Sequence, residues 1–174
     1  ADENGDFTVL QFSDTHFTTG VTFSDIRQLK KMESLTEKYD PDLVVISGDM
    51  IDDGNDGDFN KAYVLRSVAE IFEKADQYWA YVPGNNDGIN YGTSADVVAY
   101  LSQYEHCLVA DEPDISGGCQ YSLDIYSGEE MTHSLIFIDT MDYDNEDPDH
   151  KYGYVHEDQV KWCEDEINEK KAVN

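Results

Sequence analysis

The sequence predicts an α/β protein with a parallel sheet, on three observations. LVVIS (Leu43–Ser47) is a continuous apolar run, the character of a strand buried on both faces. A β-loop-α order recurs three times in the first 104 residues, which predicts parallel strands joined by right-handed crossovers. After that the texture changes to short strands with turns and no helical spacing between them, the sign of an antiparallel run.

In order, FTVLQF (Phe7–Phe12) is short and β-rich and is followed by SDTH. Ile26, Leu29, Met32, Leu35 and Tyr39 then fall at helical spacing, with Ser24 as the predicted N-cap and Pro41 as the stop. LVVIS leads into the loop GDMIDDGNDGD. A second helical pattern runs from about Phe59 to Ala75, with Val64, Leu65, Val68, Ile71 and Phe72 on one side. YWAYV (Tyr78–Val82) is a further buried strand, and Ser94 to about Tyr104 reads as a third helix. CLVA, CQYSLDIY and HSLIFIDT are the strands of the antiparallel run; a polar loop and a closing helix, HEDQVKWCEDEINEKK, follow.

A chain of 174 residues, 40 % of them apolar, suits one domain with a real core. No apolar run reaches the length of a membrane span and no targeting segment is evident, so both a cytoplasmic and a secreted location are compatible with the sequence. The net charge of -27 argues against nucleic acid and anionic membranes as partners. It reads as a solvated acidic surface, so a phosphate-bearing substrate requires a local reversal of the field. Cys107, Cys119 and Cys163 form no C-x-x-C pair, which argues against structural zinc; a Cys107–Cys119 bridge and reduced core thiols both fit. Neither 49–58 nor 142–153 has the Gly and Glu positions of an EF-hand.

Ligands of a parallel α/β sheet gather beyond the carboxyl ends of its strands. There stand Asp14, Thr15 and His16 after the first strand, Gly48, Asp49 and Asp52 after the second, and Gly84, Asn85, Asn86 and Asp87 after the third. Each stretch alone reads as ordinary turn chemistry. Three in order, each closing an apolar strand, make a divalent-cation site. Mixed N and O donors without thiolate suit Mn, Fe, Zn or similar ions. A carboxylate can bridge two ions, and two ions about 3.5–4 Å apart clamp a phosphoryl group and lower the pKa of water.

QFSDTHF, PDLVVISGDMID and YVPGNNDG resemble the D-x-H, G-D-x-x and G-N-H-[D/E] blocks of the calcineurin-like metallophosphoesterase superfamily, which includes the purple acid phosphatases. YSLDIY, SLIFIDTMDY and YGYVHEDQVKW are similar to the middle of its phosphatase-like members. The resemblance implies an α/β/β/α sandwich and a metal-dependent phosphoric ester hydrolase with a dinuclear metal centre, acting on a small phosphomonoester or diester. By it, Asp14 and His16 bind the first metal, Asp49 bridges, Asn85 binds the second and Asp87 orients the residue before it.

Two departures stand out. Asn86 occupies the position of the family's His, near the leaving group; an amide donates a hydrogen bond but no proton, a loss of typically about 10²–10⁴-fold where general acid help matters. The implied reaction is therefore slow, or restricted to leaving groups that depart easily. The family's distal Gly-His-x-His motif is also absent: His106, His133 and His156 read as structural or surface residues, with His150 an outside candidate. The sandwich is accordingly expected to be incomplete, one domain over residues 1–174 lacking its C-terminal part. Such a half exposes apolar sheet surface that a missing segment or self-association would cover. A small domain of private topology is the alternative fold, and a catalytically silent binding or scaffold module the alternative function.

Overall fold

The computed structural model describes residues 1–2, 4–18, 21–52, 61–87, 93–141 and 152–173. Three parallel strands, β1 (Val9–Phe12), β2 (Leu43–Ser47) and β3 (Trp79–Val82), pair in the order β1-β2-β3. Gln11 stands opposite Val45, and Val45 opposite Ala80, so their side chains share one face of the sheet. The central strand is the apolar run, buried from Leu43 to Ile46, whereas β1 is a half-exposed edge.

Helices α1 (Phe23–Tyr39) and α2 (Lys61–Lys74) form the crossovers, and α3 (Ser94–Leu101) follows β3. The Phe72 ring of α2 meets Trp79 of β3 at 5.3 Å, and both are fully buried. The N-cap of α1 is Thr22 rather than the predicted Ser24. Thr22 Oγ1 accepts from the Asp25 amide at 3.1 Å, and Asp25 accepts in return from the Thr22 amide. Such a reciprocal cap contributes about 1 kcal/mol. Asp25 also accepts from the amide and hydroxyl of Thr18, which ties the start of α1 to the loop leaving β1. α3 stops at Leu101, short of the predicted Tyr104, and Tyr104 closes a turn by donating its amide to Leu101 O. The predicted start of the second helix at Phe59 lies outside the described residues.

A second sheet pairs β4 (Gln120–Ser127) with β5 (Glu130–Ile138), antiparallel as expected. The segment CLVA does not join it. Cys107 instead makes a single parallel bridge to Trp79, with Trp79 donating to His106 O and Leu108 donating to Trp79 O. Tyr121 Oη donates to Tyr81 O at 2.6 Å and so fastens β4 to β3. The closing helix α4 (Glu157–Val173) lies against β4, where Ser122 donates to Glu166 and Lys170 pairs with Asp124, both at 2.6 Å. Its first turn is anchored by Gln159, fully buried, which donates to Gln120 Oε1 and to the Asp139 carbonyl. The layers thus run α/β/β/α, the metallophosphoesterase-type arrangement. A cleft of about 520 Å³ opens between the sheets, lined by Val9, Gln11, Val45, Val82, Leu135 and Ile138 among others. Val9, on the edge strand, is 41 % exposed there.

The three cysteines are free thiols, so no Cys107–Cys119 bridge forms; burial pushes the Cys107 thiol up to about 12. No helix among the described residues is long and apolar enough to cross a membrane.

Candidate metal centre

The loops that leave the three parallel strands are stitched together backbone to backbone. Asp14, His16 and Phe17 donate their amides to the carbonyls of Gly48, Asp49 and Met50 at 3.1, 3.0 and 2.9 Å. The first two loops therefore continue the register of β1 and β2 beyond the sheet. The third loop meets the second at glycines. A Cβ on Gly48 would lie 3.0 Å from the Gly84 Cα, and one on Gly84 would lie 2.2 Å from Asp49 Oδ1. Only a residue without a side chain allows this approach.

Three residues along this rim hold left-handed backbone conformations without being glycine: Asp14 (φ 52°), His16 (φ 45°) and Asp49 (φ 47°). The conformation costs roughly 1–2 kcal/mol per residue, somewhat less for Asp and His. Strain of this kind persists only where the surroundings enforce it, and it clusters at functional sites. Its geometric result is that three side chains turn to one point. His16 Nε2 lies 4.0 Å from Asp14 Oδ1 and 3.8 Å from Asp49 Oδ2. One ligand atom from each residue falls within 4.8 Å of the others, a grouping found once among the described residues. Donors that share an ion at about 2.0–2.2 Å from it stand up to about 4.4 Å apart, a span that includes both His16 distances. The Asp49 side chain is 16 % exposed, Asp14 and His16 much more, so the point of convergence opens to solvent.

The remaining oxygen of Asp49, Oδ1, accepts the Asn86 amide at 3.0 Å. Asp87 makes the reciprocal connection. Its Oδ1 accepts from the Ile51 amide and its Oδ2 from the Gly84 amide, both at 2.9 Å. Burial pushes the Asp87 carboxyl up to about 6, while those two amides pull it back. Asp87 thus braces the loop backbone, a role the sequence assigned to it only as an aid to its neighbour. Asn85 lies between Gly84, packed on Asp49, and Asn86, bonded to it, which puts its backbone at the rim. Asn86 is 7 % exposed, and its Oδ1 is buried with no partner among the described residues.

Of the other polar residues picked from the sequence, Asp52 donates its amide to Phe17 O and stays outside the group of three. His106 pairs with Glu73 at 3.1 Å, His133 lies on β5 opposite Ile125, and His156 precedes α4, donating its amide to Gln159. None of them approaches the centre. His150 lies outside the described residues. One neighbour went unnoticed in the sequence: Lys61, buried, whose Nζ donates to the Asn86 carbonyl at 3.2 Å. Its one signal is position, as the lone basic residue between Lys38 and Arg66 in an acid-rich stretch.

The family model of the calcineurin-like phosphoesterases matches residues 7–173. Two curated relatives from Arabidopsis thaliana are similar to the chain. One, named probable inactive purple acid phosphatase 28, is 25 % identical over 94 % of this chain and 48 % of its own length. The other, named probable inactive purple acid phosphatase 29, is 24 % identical over 91 % of this chain and 46 % of its own. The chain therefore spans about half the length of the curated relatives it matches. With a match that covers nearly all its residues, the layered α/β/β/α order and the three strand-end loops, the chain belongs to the calcineurin-like phosphoesterase family.

Proposed function

We propose that this chain is the cation-holding part of a metal-dependent phosphoric ester hydrolase acting on a small phosphomonoester or diester. The observation that carries the reading is the approach of Asp14, His16 and Asp49 to within 4.8 Å at one rim. Two features fit a divalent cation of the Mn, Fe or Zn class: the N and O donor set and the strained backbone that aims it. In this proposal Asp14 and His16 hold a first ion, Asp49 contacts two, and Asn85 contributes its carboxamide oxygen to the second. When bound, the ions supply positive charge against the phosphoryl oxygens and lower the pKa of water.

The chain's own residues do the positioning. Asn86 clamps Asp49 by its amide, and Asp87 holds the two loops together by accepting from both. The Asn86 side chain offers no proton to a leaving group near neutral pH. The net charge of -27 favours a small substrate over a nucleic acid polymer. The same proposal treats residues 1–174 as one domain, with a C-terminal segment or a second copy of the chain covering the cleft between the sheets.

A second reading, a catalytically silent module that keeps the fold and the cation, is favoured by the word "inactive" in both relatives' names and by Asn86 itself. Hydrolysis of p-nitrophenyl phosphate by the 174-residue chain, with and without Mn²⁺, separates the two. The hydrolase reading expects slow Mn²⁺-dependent turnover that Asp49→Asn abolishes. It also expects Asn86→His to raise turnover on an alkyl phosphate about 10²-fold or more, the lower end of the range for general acid catalysis. Mn²⁺ binding with no turnover in any of these proteins rejects it in favour of the silent module.

A further inference from the structure

Lys61 opens α2 and is 2 % exposed. Lysine is rarely buried so far unless groups around it accept from the ammonium. The Asn86 carbonyl does so at 3.2 Å. On the other side of the same residue, the Asn86 amide donates to Asp49 Oδ1 at 3.0 Å. The turn after β3 is therefore held at three kinds of point: the Asp49 carboxylate, the amides that Asp87 accepts, and the Lys61 ammonium. The first two belong to the strand-end loops themselves; Lys61 ties them to a helix packed on the core.

We propose that Lys61 is a positioning residue for the cation site: through Asn86 it fixes the Asp49 carboxylate, whose Oδ2 faces His16. The inference rests on the reading of Asp14, His16 and Asp49 as cation ligands. Two effects of the ammonium oppose each other. Its charge repels a divalent cation, so deleting it would tighten binding if charge were its whole influence. Its hydrogen bond holds the turn, and groups that orient metal ligands from behind typically carry about 10–100-fold in affinity. The second effect dominates here, because Asn86 is buried and its two backbone groups link the ammonium to the carboxylate in series.

The test is an Mn²⁺ titration followed by electron paramagnetic resonance at about 0.15 M salt, which screens the acidic surface. Wild type, Lys61→Met and Lys61→Gln are compared, with urea unfolding of each alongside. Lys61→Met keeps the stem without the ammonium and is expected to weaken Mn²⁺ binding by the folded protein about tenfold or more. Lys61→Gln retains a donor and is expected to lose less. Unchanged or tighter binding by folded Lys61→Met overturns the proposal, since charge alone then describes the residue. If Lys61→Met does not fold, Lys61→Gln decides: binding weaker than wild type supports the positioning role, and equal or tighter binding overturns it. A wild type that binds no Mn²⁺ overturns the reading of the three ligands, and the role of Lys61 with it.

Discussion

Gly84→Ala is expected to abolish divalent-cation binding and to destabilise the chain by about 3 kcal/mol or more. The added Cβ would stand 2.2 Å from Asp49 Oδ1, 2.4 Å from Asp49 N and 2.8 Å from Asp49 Cγ. A flexible side-chain tip could swing away from such a contact, but a backbone nitrogen in a strained, hydrogen-bonded turn cannot. Either the third loop lifts off the second or Asp49 leaves its conformation. Both break the Asn86–Asp49 bond and move the Asp49 Oδ2 that faces His16. Overpacking ordinarily costs about 1–3 kcal/mol, and two braced loops add to it. Urea unfolding with the Mn²⁺ titration on the folded fraction checks both halves. Wild-type stability together with wild-type affinity would mean that the loops after β2 and β3 do not touch at Gly84.

Asp87→Ala is the second large effect. It leaves the Ile51 and Gly84 amides without their acceptor in the interior, at about 1–3 kcal/mol each. The variant is expected to unfold roughly 2–5 kcal/mol more easily at pH 5, where the carboxyl of the native chain is largely protonated. Asp87→Asn keeps one acceptor oxygen and is expected to lose less. The pH dependence has a definite sign. The folded-state value of Asp87 is raised from 3.8 to about 6, so the folded chain binds more protons than the unfolded one between those limits. The contribution of this group is therefore greatest below pH 4 and falls as the pH rises through 6. The difference in unfolding free energy between the wild type and Asp87→Asn, measured in a metal chelator, is expected to shrink over that window as the pH rises. A difference that grows instead would place the carboxyl in a setting that favours its charged form.

Much of the fold was legible because burial leaves a periodic mark. LVVIS is apolar from Leu43 to Ile46 because β2 has neighbours on both sides and layers on both faces. The helices were legible from spacing, but their ends were less so. Ser24 stands nearer the apolar stripe, yet the Thr22–Asp25 pair closes a reciprocal box and takes the cap. CLVA has the composition of a strand, and composition does not tell which edge accepts it; Trp79 does, through one bridge.

For the site, the order of small polar residues after each strand was enough to bring Asp14, His16 and Asp49 together on paper. Their left-handed conformations were not foreseeable, because Asp and His adopt them only under the constraint of the loops alongside. Gly48 and Gly84 read as turn residues, whereas their mutual contact depends on two loops 36 residues apart. Lys61 was illegible for the opposite reason: a lysine in the first turn of a helix that follows an acid-rich stretch reads as surface, and its burial is a tertiary fact.

The most direct measurement is Mn²⁺ affinity by electron paramagnetic resonance for the wild type and for Asp14→Ala, His16→Ala and Asp49→Ala, at about 0.15 M salt to suppress loose binding by the acidic surface. Ion capture by the wild type, weakened at least about tenfold by each substitution, is the predicted result. Equal affinity across all four proteins, or none in the wild type, would contradict it.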